Sequence, residues 1–125
     1  MKKNIFSFEE GKAVSLDLFN KNLEKILQDK QKIAFVKNLV REISEYFEIP
    51  QEELISSKNK DLRYVMPRHL LRYYLCKKNF PRDVVGKILF TSRICIYNSE
   101  KVFQNEMENK TTYSLLFKHF LQRRK

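Results

Sequence analysis

PRDVVGKILFTSRICIYNSEKVFQNEME, residues 81–108, decides the fold. Val84, Val85, Ile88 and Leu89 recur at the spacing of one helical face, while Arg82 and Lys87 point away from it. Asp83 lies in the first turn, where the helix dipole favours an acid. This pattern predicts a short helix from about Pro81 to Leu89. Phe90-Thr91-Ser92 breaks the period, and Thr91 or Ser92 can cap a second helix running to about Glu108. Cys95, Ile96, Ser99, Val102, Phe103 and Met107 fall on the inner side of that second helix. Arg93, Ile94, Tyr97, Asn98 and Lys101 fall on the outer side. A short helix, a turn of a few residues and a longer helix make a helix-turn-helix.

The sequence before this unit also reads as helices. Pro67 suits a first-turn position and predicts a helix to about Lys78, with Leu70, Leu71, Tyr74 and Leu75 buried. Arg68, Arg72 and Cys76 form a separate stripe on it at i, i+4, i+8. Ser56 to Asp61 is a polar, basic loop, and Gln51 to Ile55 is long enough for one short turn of helix. A further helix starts near Lys30. Its apolar arc runs through Ile33, Phe35, Val36, Leu39, Val40, Ile43, Tyr46 and Phe47, and Ile49-Pro50 ends it. Ser15 caps a helix over Leu16 to Gln28, and residues 1–14 read as loosely structured.

Downstream, Asn109-Lys110 breaks the pattern. Thr111 or Thr112 can cap a last helix carrying Tyr113, Leu116, Phe117, Phe120 and Leu121, followed by a basic tail over residues 122–125. The predicted fold is all-α: a Trp-repressor-like helix-turn-helix bundle with extra N- and C-terminal helices. Only two Gly and three Pro in 125 residues agree with helices joined by short loops. The chain divides into an N-terminal extension over residues 1–29, the helix-turn-helix region over 30–108, and a C-terminal helix and tail over 109–125.

Charge is concentrated. Residues 58–93 hold ten basic and two acidic side chains, which supplies most of the chain's net +10. Such a concentration suits a surface that meets a polyanion. Other chemistries find no support. Cys76 and Cys95 form no CxxC or CxxH pair, so they read as two reduced thiols and no metal site is expected. His69 and His119 lack a paired nucleophile or carboxylate, so no enzymatic activity is expected. Neither GxxxxGK[ST] nor GxGxxG is present, so no nucleotide cofactor is expected either. No apolar run reaches about 18 residues, which argues against a membrane span. The N-terminus lacks a secretory signal, and a cytoplasmic, nucleoid-associated protein is expected.

The partner that fits is double-stranded DNA. In a helix-turn-helix the second helix enters the major groove with its N-terminal residues at the base edges. Arg93 suits guanine or phosphate, and Ile94 suits a thymine methyl unless it packs on the final helix. Tyr97 and Asn98 suit bases or phosphates, and Lys101 the backbone. Ser92 stands at the entry to that helix. Arg68 and Arg72 would clamp a phosphate strand, with Arg82 and Lys87 beside them. Lys58, Lys60 and Arg63 form a flexible arm for the backbone or the minor groove. Lys77 and Lys78 read either as part of this basic surface or as ordinary charges at a helix C-terminus, and Tyr73-Tyr74 reads as packing. The alternative is a protein-interaction adaptor on the same scaffold, meeting its partner through the Leu16–Gln28 helix or the final helix. RNA binding lacks an aromatic platform. Oligomeric state is not legible.

VREISEYFEIPQEELISSKNKDLRYVMPRHLLRYYL, residues 40–75, resembles the C-terminal DNA-binding domain of the bacterial replication initiator DnaA. That family has a helix ending in Tyr-Phe or Tyr-Tyr, a turn ending in Leu, a basic loop, and Arg-Gln or Arg-His opening a long helix. The matching residues are Tyr46-Phe47, Ile49 to Leu54, Lys58 to Lys60, and Pro67-Arg68-His69. PRDVVGKIL resembles the first helix of that family's helix-turn-helix, and the likeness covers about residues 33–108. It implies a minor-groove role for Lys60 and a backbone contact for Arg68. The family's Gly-Gly-Arg-Asp-His-Thr entry to the recognition helix is replaced by Phe90-Thr91-Ser92-Arg93-Ile94-Cys95-Ile96. DNA binding is therefore implied, but reading of the family's usual box is not. The sequence holds no AAA+ ATPase module, so origin melting by nucleotide-driven assembly is not expected of it alone.

Overall fold

A computed structural model describes residues 13–124 of the chain. Among the described residues there are seven helices and no strand: α1 Leu16–Leu27, α2 Lys30–Phe47, α3 Gln51–Ile55, α4 Leu62–Lys77, α5 Arg82–Ile88, α6 Arg93–Asn109 and α7 Thr112–Arg123. The all-α expectation is borne out. None of these helices is long and apolar enough to cross a membrane. The expectation for residues 1–14 falls almost wholly outside the described residues.

Side-chain caps set most of the starts. Ser15 accepts from the Leu18 amide, Asp29 from Gln31 and Lys32, Ser92 from Cys95, and Thr111 from Ser114. Each satisfies first-turn donors that have no partner within the helix. Three helices, α1, α2 and α6, end on Gln28, Glu48 and Lys110 in the left-handed region, where the chain reverses.

The start of α4 corrects the sequence reading. The helix begins at Leu62, five residues before Pro67, because Asp61 accepts from the Arg63 amide and caps it there. Pro67 lies inside the helix and is buried. A capped first turn carries the chain past a residue that would open a helix if left alone.

The fold is built around α4. It packs against α6, α2, α3 and α5. Met66, Leu70, Leu71, Tyr74 and Leu75 are buried on it, and so are Arg68 and Arg72. A helix buried on all sides has no clean polar face, which is why its two arginines looked like an outward stripe in the sequence. Tyr73 stacks on Phe103 with ring centroids 4.0 Å apart, and Phe103 stacks on Phe117 at 4.9 Å. These contacts join α4, α6 and α7 through aromatic packing, as the packing role of Tyr73-Tyr74 required.

The terminal helices share this core. One apolar cluster runs from Val14, Phe19 and Leu23 to Phe117 and Phe120. On α1, the Asn22 amide donates to the Lys87 carbonyl at 2.8 Å and the Ile88 carbonyl at 3.4 Å. It thereby satisfies carbonyls at the C-terminal end of α5. At the other terminus, Arg124 is not part of a solvated tail. Its guanidinium lies 5.0 Å from the Tyr74 ring centroid, donates to the Tyr74 hydroxyl at 3.0 Å and pairs with Glu42. Burial holds its pKa below the usual arginine value.

Candidate nucleic-acid interface

α5 and α6 are joined by Leu89 to Ser92, and their close approach depends on Gly86. A β-carbon there would lie 2.9 Å from the Thr91 carbonyl oxygen and 3.3 Å from the Arg93 nitrogen, both backbone atoms. The Thr91 amide donates to the Gly86 carbonyl at 2.9 Å. Phe90 takes φ 59°, the left-handed conformation that turns the chain into α6. For a residue with a β-carbon this conformation is uphill, and partial burial of the Phe90 ring against the core offsets it.

The outer face of α6 is where the sequence placed it. Arg93, Ile94, Tyr97, Asn98 and Lys101 are all exposed, Ile94 at 70%. Ile94 therefore does not pack on α7. Ile96, Ser99 and Phe103 face inward as expected, while Val102 departs from expectation at 38% exposure. Ser92 is half-buried, with its hydroxyl oxygen engaged in the cap.

Acidic neighbours organise the cations of this face. Arg93 Nε lies 3.6 Å from Asp83 Oδ1 across the turn, in an exposed pair. Arg82 Nε donates to Glu100 Oε1 at 2.7 Å, and its guanidinium lies 4.9 Å from the Tyr97 ring centroid. Lys101 Nζ approaches the same ring at 5.4 Å. Tyr97 thus stands between two cations, an arrangement favoured by the ring quadrupole. Glu100 also interacts with Cys76. Burial first, then the hydrogen bond and charge of Glu100, push the Cys76 thiol up to about 12. Sequence reasoning missed Glu100 because its i, i+4 and i, i+3 neighbours give no sign of partners on α4 and α5. Lys87 is exposed at the end of α5.

The arm and the proposed clamp are corrected. Arg68 is 3% exposed and donates to the carbonyls of Glu53 and Asn59, each at 2.7 Å. Arg72 is also buried and donates to Ser99 Oγ at 3.0 Å, with His69 Nδ1 2.8 Å from the same oxygen. Both arginines tie helices together and do not form an outward stripe. Arg63 belongs to α4, with its guanidinium on the Tyr64 hydroxyl at 2.9 Å. Lys58 and Lys60 are exposed, but the chain around them is bonded in place, with Ser56 and Ser57 buried.

Comparison with known proteins points in one direction. Over 117 residues, 86% of the chain, it is 23% identical to the chromosomal replication initiator protein DnaA of Onion yellows phytoplasma. Over 61 residues, 49% of the chain, it is 36% identical to DnaA of Acinetobacter baylyi and 34% identical to DnaA of Acinetobacter baumannii strain AYE. The chain spans less than a quarter of these relatives, 23% of the first and 13% of the other two. No protein-family model matches it. The resemblance to a DnaA C-terminal domain, read over about residues 33–108, is borne out by these relatives and by the all-helical fold.

Proposed function

We propose that the chain binds double-stranded DNA through a DnaA-like helix-turn-helix, in replication or its regulation. α6 lies in the major groove, where Arg93, Ile94, Tyr97 and Asn98 meet base edges and Lys101 meets phosphate. Lys58 and Lys60 follow the adjacent backbone or minor groove, with Arg63, Arg82 and Lys87 adding phosphate contacts. Arg68 and Arg72 support this surface from within. The work would be done in the cytoplasm, on the nucleoid, with no cofactor and no chemical step.

The single observation carrying this reading is the outer face of α6. It joins three basic or amide side chains, an exposed tyrosine and a 70%-exposed isoleucine at the tip of the second helix of the unit. At that tip Ile94 can meet a thymine methyl, beside cations and amides that suit bases and phosphates. The test is fluorescence anisotropy on random duplex DNA at several salt concentrations, followed by selection from a randomised duplex pool. Binding at low salt with a steep negative log–log slope is expected. Arg93→Ala should cost about 1–3 kcal/mol on the selected site. A chain that binds no duplex at about 50 mM salt, where phosphate contacts are strongest, does not do what is proposed.

The adaptor reading is favoured by a different observation. Leu115 is 66% exposed on α7 and Leu116 is 36% exposed beside it. Loss of duplex binding together with pull-down of a partner that Leu115→Asp abolishes would favour that reading.

A further inference from the structure

We propose that Arg68 is the positioning residue that holds the basic arm in its DNA-binding shape. This rests on the DNA-binding reading above and assigns Arg68 a place behind the interface, not in it. From the second turn of α4, one guanidinium reaches two separate backbone carbonyls. Nε donates to Glu53 on α3, and Nη1 donates to Asn59 at the crest of the arm, each at 2.7 Å. The Glu53 carboxylate lies 3.6 Å from Nη2 and balances the charge.

The arm is fastened at both ends as well. Ser56 Oγ accepts from the Val14 amide at 2.9 Å. Asn59 Oδ1 accepts from the Asp61 amide at 3.0 Å, and Asp61 then caps α4. Lys58 and Lys60 flank Asn59, the residue of the arm whose carbonyl Arg68 grips, and both are exposed. Fixing the Asn59 carbonyl fixes the peptide plane between Asn59 and Lys60, and so the direction in which the two lysines leave the backbone.

A buried guanidinium is a poor choice for stability alone, because apolar packing of similar volume often does as well. What its planar fork does better is hold two acceptors at a set spacing and angle. Lysines on a free loop would have to be ordered at the moment of binding, whereas these are ordered beforehand.

The test compares wild type, Arg68→Lys, Arg68→Met, the Lys58→Ala/Lys60→Ala pair, and that pair combined with Arg68→Lys. All are measured on one duplex at a temperature where circular dichroism shows full helix. Arg68→Lys keeps the net charge but loses the fork, and it remains informative if Arg68→Met fails to fold. The lysine pair should lower the salt slope by about 2, close to 0.9 per lost phosphate contact. Arg68→Lys should lower it by a similar amount, and the combination should go no further. Amide exchange at Asp61 should rise at least about tenfold in Arg68→Lys as the arm opens locally, while Ile96 in the core stays protected. An unchanged slope, additive losses or unchanged Asp61 exchange overturns the proposal while wild-type binding stands. Wild type that binds no duplex instead overturns the DNA-binding reading, and this assignment with it.

Discussion

Replacing Gly86 with alanine sets two effects of opposite sign against each other. In a helix interior, alanine is favoured over glycine by about 1 kcal/mol. At this position the new methyl would stand 2.9 Å from the Thr91 oxygen, 3.2 Å from the Ser92 carbonyl carbon and 3.3 Å from the Arg93 nitrogen. The nearest approach is about 0.6 Å inside a comfortable contact of 3.5 Å. All three neighbours are backbone, so no side chain can swing clear. The turn is also held by the Thr91–Gly86 hydrogen bond and by left-handed Phe90. Overpacking of a rigid site costs about 1–3 kcal/mol, and the absence of a flexible neighbour puts this case in the upper half. Gly86→Ala should therefore lose about 1–2 kcal/mol net, and Gly86→Val more, because two further carbons meet the same turn. Urea unfolding followed by far-ultraviolet circular dichroism measures this, and the melting temperature should drop by about 4 °C per kcal/mol. An alanine variant about 1 kcal/mol more stable than wild type would show that propensity acts alone and that α5 and α6 have room between them.

Three further outcomes are expected. Ser99→Ala removes a fully buried acceptor of Arg72 and partner of His69, and should cost about 1–3 kcal/mol in chemical denaturation; a loss under about 0.5 kcal/mol would mean that the other contacts of Arg72 suffice. Lys110 ends α6 at φ 54° on the exposed surface, so Lys110→Gly should stabilise the chain by about 0.5–1 kcal/mol, and destabilisation in the same melts would contradict the cap assignment. In a Cys95→Ser background, alkylation of Cys76 should keep accelerating well above pH 9, as its thiol titrates near 12, and Glu100→Gln should move that profile down. The same raised pKa means that the neutral thiol's contribution to stability is complete below about pH 9 and is lost as pH climbs toward 12. A rate that levels off at pH 9 contradicts the burial of Cys76.

Most of the helices were legible because each carries its own start and stop. Ser15, Thr111 and the Ile49-Pro50 step lie within a few residues of the boundaries they set, and local signals survive in a linear reading. The outer face of α6 was legible for a related reason: Arg93, Ile94, Tyr97, Asn98 and Lys101 stand against a regular apolar stripe. Apart from Val102 on α6, the failures are on or near α4. Pro67 looked like a beginning because its missing amide suits one, whereas Asp61 had already begun the helix. Arg68 and Arg72 looked solvent-facing because their acceptors lie 9, 15 and 27 residues away, on Asn59, Glu53 and Ser99. A helix enclosed on every side obeys no two-faced pattern, so charge in its sequence says nothing about direction.

The bond from Asn22 to the end of α5 bears on the order in which the molecule forms. Its partners are separated by 65 and 66 residues, and it cannot close until the chain between them has condensed. α2, α3 and α4 can begin to form on neighbouring contacts, but the carbonyls that end α5 wait for a helix made at the far end of the sequence. During synthesis α1 emerges before α5, and its Asn22 has nothing to cap until 65 residues more have been made. The unit proposed to meet DNA is thus finished only when it docks against a helix made some sixty-five residues earlier.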